Sequence, residues 1–226
     1  MRGLMSVTAP DLETASAEEV LAYAVEHFHP RLKMACSFQK EESVLLHMLT
    51  SIEPDARVFM LDTGVLFGET HETHKAFEEA FGVEIEAIEA MRPGEEPWTV
   101  SCCCAAAKVD ALERALEDTD AWITGIRREQ APTRAAAAKL EYDSGREIWK
   151  VNPLADWGER DLWRYISKHG LPYHPLHDRG YGSIGCEPCT QPGEGREGRW
   201  AGLDKTECGI HVERPGHPAP ESTGGR

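Results

Sequence analysis

The residues of this 226-residue chain with the clearest capacity for chemistry are its seven cysteines. Cys103 and Cys104 are adjacent, and Cys186 and Cys189 form a C-x-x-C pair. Together the two pairs supply four thiolates, enough to ligate zinc or an iron–sulfur cluster. Zinc sites usually take two C-x₂₋₄-C hooks, whereas adjacent helical cysteines point about 100° apart, which is awkward for one small ion. The pattern therefore favours the larger cluster.

Two further cysteines bear on this assignment. Cys102 and Cys103 are an alternative to Cys103 and Cys104 as the first pair, and burial of unligated helical cysteines is a third interpretation. Cys36 stands at the end of a predicted strand, where we expect a buried, inert thiol.

Cys208 lies apart from the cysteine pairs, just before a stretch rich in proline and glycine. Lys205 and His211 are within three residues of it, and cations that close can lower the pKa of a thiol and activate it as a nucleophile. A mobile segment would let the same residue meet first a buried substrate and then an external partner. Cys208 is therefore the candidate nucleophile.

Two polar loops follow predicted strands, although neither a Walker A sequence nor G-x-G-x-x-G occurs. Residues 37–43 lead into a helix whose first N–H groups could receive a phosphate. The alternative is that Glu41 and Glu42 only complement the helix dipole. Asp62-Thr63-Gly64, after the second strand, is an equally weak signal by itself.

The charge balance excludes some partners. Acidic residues number 39 against 24 lysines and arginines, and the formal net charge of −15 repels a nucleic-acid backbone. A site for an anionic small molecule would need several cations close together. One short segment contains Arg127, Arg128 and Arg134, and another contains Arg196 and Arg199. Lys108 stands one helical turn after Cys104 and would add a cation beside it. A solvated surface position is the alternative for each of these residues.

Composition places the chain among soluble globular proteins. Hydrophobic residues make up 41% and charged residues 28%, and no stretch approaches the roughly 18 apolar residues that cross a bilayer. The length predicts one domain, or one domain with appendages. Residues 1–10 contain no apolar core of a secretory signal, so we expect a cytoplasmic protein in which disulfides are rare.

Strand and helix patterns alternate along most of the chain. Predicted strands cover 32–36, 57–61, 83–88 and 121–125, and predicted helices cover 43–49, 69–81 and 104–116. A capping box at Ser16 begins a first helix, and residues 156–159 precede a last one. The alternation predicts an α/β fold with a parallel, helix-flanked sheet that binds ligands in the loops 37–42 and 62–67.

The C-terminal part differs from the rest of the chain in amino-acid composition. Residues 171–195 are rich in Pro, Gly, His and Cys without a periodic apolar face, so something other than a core must hold them. Residues 212–226 have little to bury and are predicted to be disordered.

The ordered segments between Met34 and His211 resemble the assimilatory sulfonucleotide reductases, specifically the cluster-containing adenosine 5′-phosphosulfate (APS) reductases. The segments that carry the resemblance are 37–43, 61–64, 66–67, 69–70, 103–104, 108–109, 124–130, 152–157, 174–177, 181–186, 196–200 and 207–211. The last of these, E-C-G-I-H, is highly specific.

The resemblance implies a Rossmann-like nucleotide-binding domain with a flexible C-terminal catalytic segment. It divides the chain into an N-terminal helix (1–30), a sulfonucleotide-binding domain with the cluster (31–195), a catalytic segment (196–211) and a disordered tail (212–226). It implies a [4Fe–4S] cluster on Cys103, Cys104, Cys186 and Cys189, with Cys208 as the catalytic residue. The substrate-binding residues that it implies are Ser37, Lys40, Leu61, Asp62, Thr63, Gly64, Lys108, Arg196, Arg199 and His211.

The implied reaction belongs to sulfate assimilation. Cys208 attacks the sulfur of APS, which leaves an S-sulfocysteine and AMP, and thioredoxin or a glutaredoxin-like dithiol protein then releases sulfite. Related proteins often form dimers or tetramers, so a homo-oligomer is consistent with the resemblance. One rival is a reductase of the 3′-phosphorylated substrate (PAPS), and another is a non-catalytic, metal-binding redox sensor.

Overall fold

The central feature of the fold is a six-stranded sheet with the order β3-β2-β1-β4-β6-β5. The computed structural model describes residues 10–90, 105–201, 207 and 210. The strands are β1 (Leu32–Ala35), β2 (Arg57–Asp62), β3 (Ile85–Glu89), β4 (Ala121–Ile123), β5 (Leu140–Asp143) and β6 (Ile148–Val151). All neighbouring strands are parallel except β5, which runs antiparallel to β6. The predicted α/β fold with a mainly parallel sheet is confirmed.

Helices connect the parallel strands and cover both faces of the sheet. They are α1 (Ala17–Phe28), α2 (Lys40–Ile52), α3 (Gly68–Phe81), α4 (Ala105–Leu116) and α5 (Glu159–His169). Each corresponds to a predicted helix, although α2 begins three residues earlier than the periodicity indicates. Within the described parts of the chain, no helix is long and apolar enough to cross a membrane.

Local hydrogen bonds explain where two of the helices begin. Ser16 caps α1, since its hydroxyl accepts the Glu19 N–H at 3.2 Å while the Glu19 carboxylate accepts the Ser16 N–H at 2.7 Å. Gly158 caps α5, and the Asp161 carboxylate accepts its N–H at 3.0 Å. Asp156, which the sequence places in the predicted cap, instead forms an ion pair with Lys139 at 2.7 Å.

Alternate residues of the central strands face opposite sides of the sheet. On β2, Met60 packs in the core formed with α1, α2 and α5, whereas Phe59 packs on the other side against Leu112 of α4. On β4, Trp122 lies on the α4 side and Ile123 on the opposite side. The central strands are therefore buried on both faces, as expected for a parallel sheet. The division of the chain at residues 30, 195 and 211 stays a prediction.

The β5–β6 hairpin is an element that the sequence prediction missed. Its two strands have only four residues each, and the turn between them is closed by Asp143, whose carboxylate accepts the Gly145 N–H at 3.0 Å. An aspartate followed by Ser-Gly between two short alternating runs is a turn signal that could have identified it. The hairpin adds a strand at the edge of the sheet, away from the loops predicted to bind ligands.

Polar contacts with the β1–α2 loop hold the segment 171–195. The Lys40 ammonium donates to the Gly182 carbonyl oxygen at 2.9 Å. The Gln39 side-chain oxygen accepts the Ile184 N–H at 2.9 Å and the Ser183 hydroxyl at 3.1 Å. These contacts place the segment directly over the carboxyl end of β1.

Candidate functional site

A cavity opens at the carboxyl ends of β1, β2 and β4, where the alternation of strands and helices predicts ligand binding. Its walls come from the β1–α2 loop, the end of β2, α4, the segment after β4 and the C-terminal part of the chain. The lining includes Ser37, Gln39, Leu61, Lys108, Gly125, Gln130, Arg134, Gly185, Arg196, Arg199 and Ile210. Parallel sheets of this type bind ligands at this edge.

The cavity has an apolar side and a cationic side. Phe59, Leu61 and Trp122 supply apolar surface from the sheet, and Ile210 packs with the same cluster. Four basic residues also line the cavity, namely Lys108, Arg134, Arg196 and Arg199. Such a cavity suits a ligand that joins a flat apolar ring to an anionic group.

Five residues predicted to bind substrate line this one cavity: Ser37, Leu61, Lys108, Arg196 and Arg199. The Arg199 guanidinium is oriented by the Ile184 carbonyl oxygen at 3.1 Å and lies over the Trp200 ring at 4.5 Å. These contacts hold the Arg199 guanidinium close to the backbone of Gly185. A side chain at position 185 would prevent this approach, because its Cβ would collide with the guanidinium.

Four other predicted substrate-binding residues are not among those that line the cavity. Lys40 is the first residue of α2, and its buried ammonium is directed to the Gly182 carbonyl and to Glu159, 3.4 Å away. The Asp62 carboxylate accepts the Gly64 N–H at 2.8 Å and closes the turn after β2. Thr63 is buried with its hydroxyl 3.2 Å from the Cys186 sulfur. The side chains of Lys40, Asp62 and Thr63 therefore stabilise the backbone and the Cys186 side chain around the cavity.

The remaining predicted site residues lie outside the described residues. They are Cys103, Cys104, Cys208 and His211, together with the alternative ligand Cys102.

The arginines gathered after β4 have separate roles. Arg127 is buried and pairs with Glu41 at 2.9 Å, and Arg128 pairs with Glu13. Of these three arginines only Arg134 lines the cavity. The sequence places all three in one cationic segment, and only the tertiary contacts show which of them lines the cavity.

Glu41 and Glu42 are both buried at the start of α2 and line the cavity. Burial raises the pKa of Glu41, but Lys40 and Arg127 outweigh this and hold that pKa below its usual value. Burial and the charge of Glu41 raise the pKa of Glu42 to about 7. The Glu42 carboxylate also accepts the Gln39 N–H at 3.0 Å, which explains the early start of α2.

Gly125 lets the segment after β4 approach the start of α2. A Cβ at this position would lie 2.6 Å from a Glu42 carboxylate oxygen and 2.9 Å from the Glu41 Cβ. Gln130 lies in the same segment, and its side-chain amide donates to the Glu41 carboxylate at 3.0 Å. Neither Gly125 nor Gln130 was predicted as a site residue. Both belong to the segment 124–130 that carries part of the family resemblance, which is the signal that could have identified them.

The C-x-x-C pair lies beside the cavity. Cys186 and Cys189 are buried at the two ends of one turn, and the Thr63 hydroxyl contacts the Cys186 sulfur. Gly185, the neighbour of Cys186, lines the cavity together with Lys108. Cys103 and Cys104, the other cysteine pair, directly precede α4 in the sequence. Buried thiols in this arrangement fit a thiolate-ligated cluster.

A family model for the phosphoadenosine phosphosulfate reductase domain matches residues 31–192. The chain belongs to this family. The matched range contains all six strands of the sheet, the C-x-x-C pair and most of the cavity walls.

Curated relatives carry a more specific name. The chain is 42% identical over 217 residues to an adenosine 5′-phosphosulfate reductase from Bacillus mycoides, covering 89% of this chain and 92% of that protein. It is 39% identical over 215 residues to a protein of the same name from Salinibacter ruber, covering 88% and 85%.

Solved structures agree with the fold. A phosphoadenylyl-sulfate (PAPS) reductase from Candida auris, in a phosphate complex, matches with a TM-score of 0.68 and 25% identity, covering 78% of this chain and 92% of that one. An FMN adenylyltransferase from Candida glabrata matches with a TM-score of 0.60 and 14% identity, covering 78% and 64%. The second match shows a shared fold alone.

The raised pKa of Glu42 predicts a dependence of stability on pH. The folded protein keeps the Glu42 proton up to about pH 7, whereas the unfolded chain loses it near 4.5. Stability from this group is therefore lost as the pH rises through that window. We expect Glu42→Gln to raise the free energy of unfolding by about 1–3 kcal/mol at pH 8 relative to wild type and by little below pH 4.

Denaturant unfolding from about pH 4 to 8 measures this difference. Glu86→Gln, at an exposed position on β3, is the matched control and should follow the wild-type pH profile. Parallel profiles for Glu42→Gln and wild type would contradict the prediction.

Proposed function

We propose that this protein reduces APS to sulfite and AMP with electrons from a dithiol protein. The main support for this proposal is the cavity, because its lining combines apolar surface that suits the adenine ring with four cationic side chains that suit the phosphosulfate. The two curated relatives described above are named for the same activity.

The substrate lies across the cavity with its two ends in different surroundings. The adenine ring faces the apolar side formed by Phe59, Leu61 and Trp122. The phosphosulfate faces Lys108, Arg196 and Arg199, with His211 as a further cation. These groups offset the charge of the phosphate that leaves as AMP, which is the electrostatic contribution expected of preorganised donors.

Cys208 supplies the attacking atom. Its thiolate forms a bond to the sulfur of APS while the bond between that sulfur and the phosphate oxygen breaks, so AMP leaves and Cys208 carries a sulfonate. A thiolate of thioredoxin or a glutaredoxin-like protein then attacks the Cys208 sulfur and releases sulfite. The second thiol of the donor resolves the mixed disulfide. The donor is thereby oxidised by two electrons, and Cys208 returns to a thiol.

The four cysteines Cys103, Cys104, Cys186 and Cys189 are proposed to hold a [4Fe–4S] cluster. When bound, the cluster supplies charge near the substrate and transfers no electrons in the reaction. Cys186 and Cys189 are held for this purpose by their turn and by the Thr63 hydroxyl. Lys108 lines the cavity and follows Cys104 by four residues in the sequence, and its ammonium offsets negative charge there.

A second candidate substrate is PAPS. It is favoured by the likeness to the Candida auris protein, which is named as a PAPS reductase. The greater identity to proteins named APS reductase, 42% against 25%, makes APS the first candidate.

The two substrates differ by one phosphate, and this difference gives a direct test. We expect kcat/KM for APS to exceed that for PAPS by at least about tenfold, because a buried phosphate without its own charged partner is costly. Competition between the two substrates in one assay measures the ratio. Equal efficiencies or a preference for PAPS would overturn the choice of APS.

The proposed cluster predicts iron and sulfide. Anaerobically purified protein should be brown and contain about four irons with matching sulfide per chain. Cys186→Ser and Cys189→Ser should lose the iron, whereas Cys36→Ser should retain it. Stoichiometric zinc without sulfide in wild type would contradict the cluster.

The same measurement resolves the pair before α4. Loss of iron in Cys102→Ser, with retention in Cys104→Ser, would move that pair by one residue.

The reaction itself is tested by the first half-reaction. Incubation with APS and no donor should release one AMP per chain and add one sulfonate to Cys208, mapped by mass spectrometry. Cys208→Ser should bind APS but release no AMP, because a hydroxyl is a far poorer nucleophile. His211→Ala should slow the reaction less, since it removes a stabilising contact and keeps the attacking atom.

Addition of reduced thioredoxin should then release sulfite from the sulfonated wild type. A sulfonate on another cysteine, or thioredoxin-dependent sulfite production by Cys208→Ser, would refute the assigned mechanism. A wild-type protein that holds the metal without any turnover would instead support the redox-sensor alternative.

A further inference from the structure

Glu207 is held by donors from two distant parts of the chain. Arg134 donates from Nε and Nη2 to the two carboxylate oxygens of Glu207, each at 2.8 Å. The Thr133 hydroxyl donates to one of these oxygens at 2.9 Å, and Arg196 donates to the other at 3.0 Å. The carboxylate therefore accepts hydrogen bonds from two guanidinium groups and one hydroxyl.

This cluster is largely removed from solvent. The side chains of Glu207, Arg134 and Arg196 are 12%, 9% and 15% exposed. Burial raises the pKa of Glu207, but Arg134 and Arg196 outweigh it, so the pKa lies below its usual value and the carboxylate remains charged. A bidentate arginine–carboxylate pair fixes orientation as well as distance, and it is stronger than a neutral hydrogen bond. Gln130 also accepts from Arg134, which keeps the guanidinium in place.

The cluster adjoins the proposed nucleophile. Glu207 directly precedes Cys208, and Ile210 follows it by two residues and lines the cavity. Consecutive Cα atoms lie about 3.8 Å apart, so contacts at these two neighbours restrain how far position 208 can move from the cavity. The hydrophobic contact of Ile210 with the Phe59 and Trp122 cluster acts at one end, and the ion pairs of Glu207 act at the other.

The cations that hold Glu207 also belong to the cavity wall. Arg134 and Arg196 both line it, so the guanidinium groups that bind the carboxylate adjoin the place of the anionic substrate. Removal of the carboxylate would therefore have two separate effects. It would release the segment that carries Cys208, and it would remove an anion that competes with the substrate for both arginines.

We propose that Glu207 is a positioning residue whose carboxylate, through Arg134 and Arg196, fastens the segment that carries Cys208 beside the substrate cavity. The inference deepens the proposed function and rests on Cys208 as the nucleophile. Glu207 does not touch the reacting atoms and acts through its arginine partners. Its contribution is to the attack on bound substrate and not to the binding of substrate.

The test compares Glu207→Gln with wild type in three measurements on the full-length, anaerobically purified protein. Glu207→Gln keeps the shape of the side chain and removes its charge. The rate of AMP release in a single turnover of APS should fall about ten- to a hundredfold, the range for loss of a charge-assisted hydrogen bond. The affinity for AMP, an unreactive probe of the cavity, should be unchanged or rise by up to about tenfold, since Arg134 and Arg196 lose a competing anion. Iodoacetamide should alkylate Cys208, as mapped by mass spectrometry, about tenfold faster, because the local opening of the segment becomes less costly.

Three variants complete the design. Glu194→Gln removes an exposed glutamate thirteen positions before Glu207 and should match wild type in all measurements. Glu207→Asp retains the charge and should recover part of the rate. Arg134→Lys removes the bidentate geometry, and the double variant with Glu207→Gln should be little slower than the slower single variant, because the two residues act together.

The outcomes separate this inference from the function on which it rests. Slower AMP release together with weaker AMP binding would indicate a general structural role and overturn the inference. Unchanged AMP release and unchanged alkylation in Glu207→Gln would also overturn it. Failure of wild type to release AMP from APS would refute the proposed function, and the alkylation of Cys208 would still decide whether Glu207 holds the segment.

Discussion

The buried ion pair between Glu41 and Arg127 connects the two chain segments between which the cavity lies. Glu41 is in the first turn of α2 and Arg127 follows β4, and the two side chains are only 5% and 4% exposed. Gln130 donates to the same Glu41 oxygen, and Arg127 also donates to the Trp157 carbonyl at 3.1 Å. Loss of one partner from such a pair would leave a buried charge and cost about 3–5 kcal/mol. The position of α2 against the segment after β4, and so the width of the cavity, depends on this contact.

The cavity shows how a strongly acidic chain can hold an anion. The net charge of −15 describes the whole surface, whereas the field inside a concave site is set by the few groups that face it. Lys108, Arg196 and Arg199 approach from α4 and from the C-terminal part of the chain, so cations distant in sequence act on one place. Their charges are concentrated where an anion binds, while the acidic surface repels other polyanions such as nucleic acids.

Residues 171–201 depend on the sheet for their order. Their helical turns are short, and their contacts with the β1–α2 loop come mainly from Gln39 and Lys40. Lys40 therefore contributes to the site by holding the backbone at Gly182, although its side chain is not among those that line the cavity. The same backbone continues to the C-x-x-C pair and to Arg199. The contacts of Gln39 and Lys40 with residues 182–184 therefore help to position Cys186 and the cavity-lining guanidinium of Arg199.

Local patterns in the sequence were enough to predict the type of fold and the chemical groups of the site. Short apolar runs alternate with helical periodicity, and this local signal placed four parallel strands and five helices because each element carries its own pattern. The capping box at Ser16 and the C-x-x-C spacing of Cys186 and Cys189 are also patterns of residues close together in the sequence. The β5–β6 hairpin was missed because two four-residue strands are too short to show a reliable period.

Which polar residues line the cavity could be read only from contacts between distant parts of the chain. Arg127, Arg128 and Arg134 look equivalent in the chain, but each pairs with a different carboxylate, Glu41, Glu13 and Glu207, and of the three only Arg134 lines the cavity. Lys40 stands beside the cavity-lining Gln39 and Glu41, yet its side chain points to another segment. The link between Arg134 and Glu207 spans 73 positions. Such contacts depend on which strand ends lie side by side in the sheet, and no local pattern in the sequence encodes that arrangement.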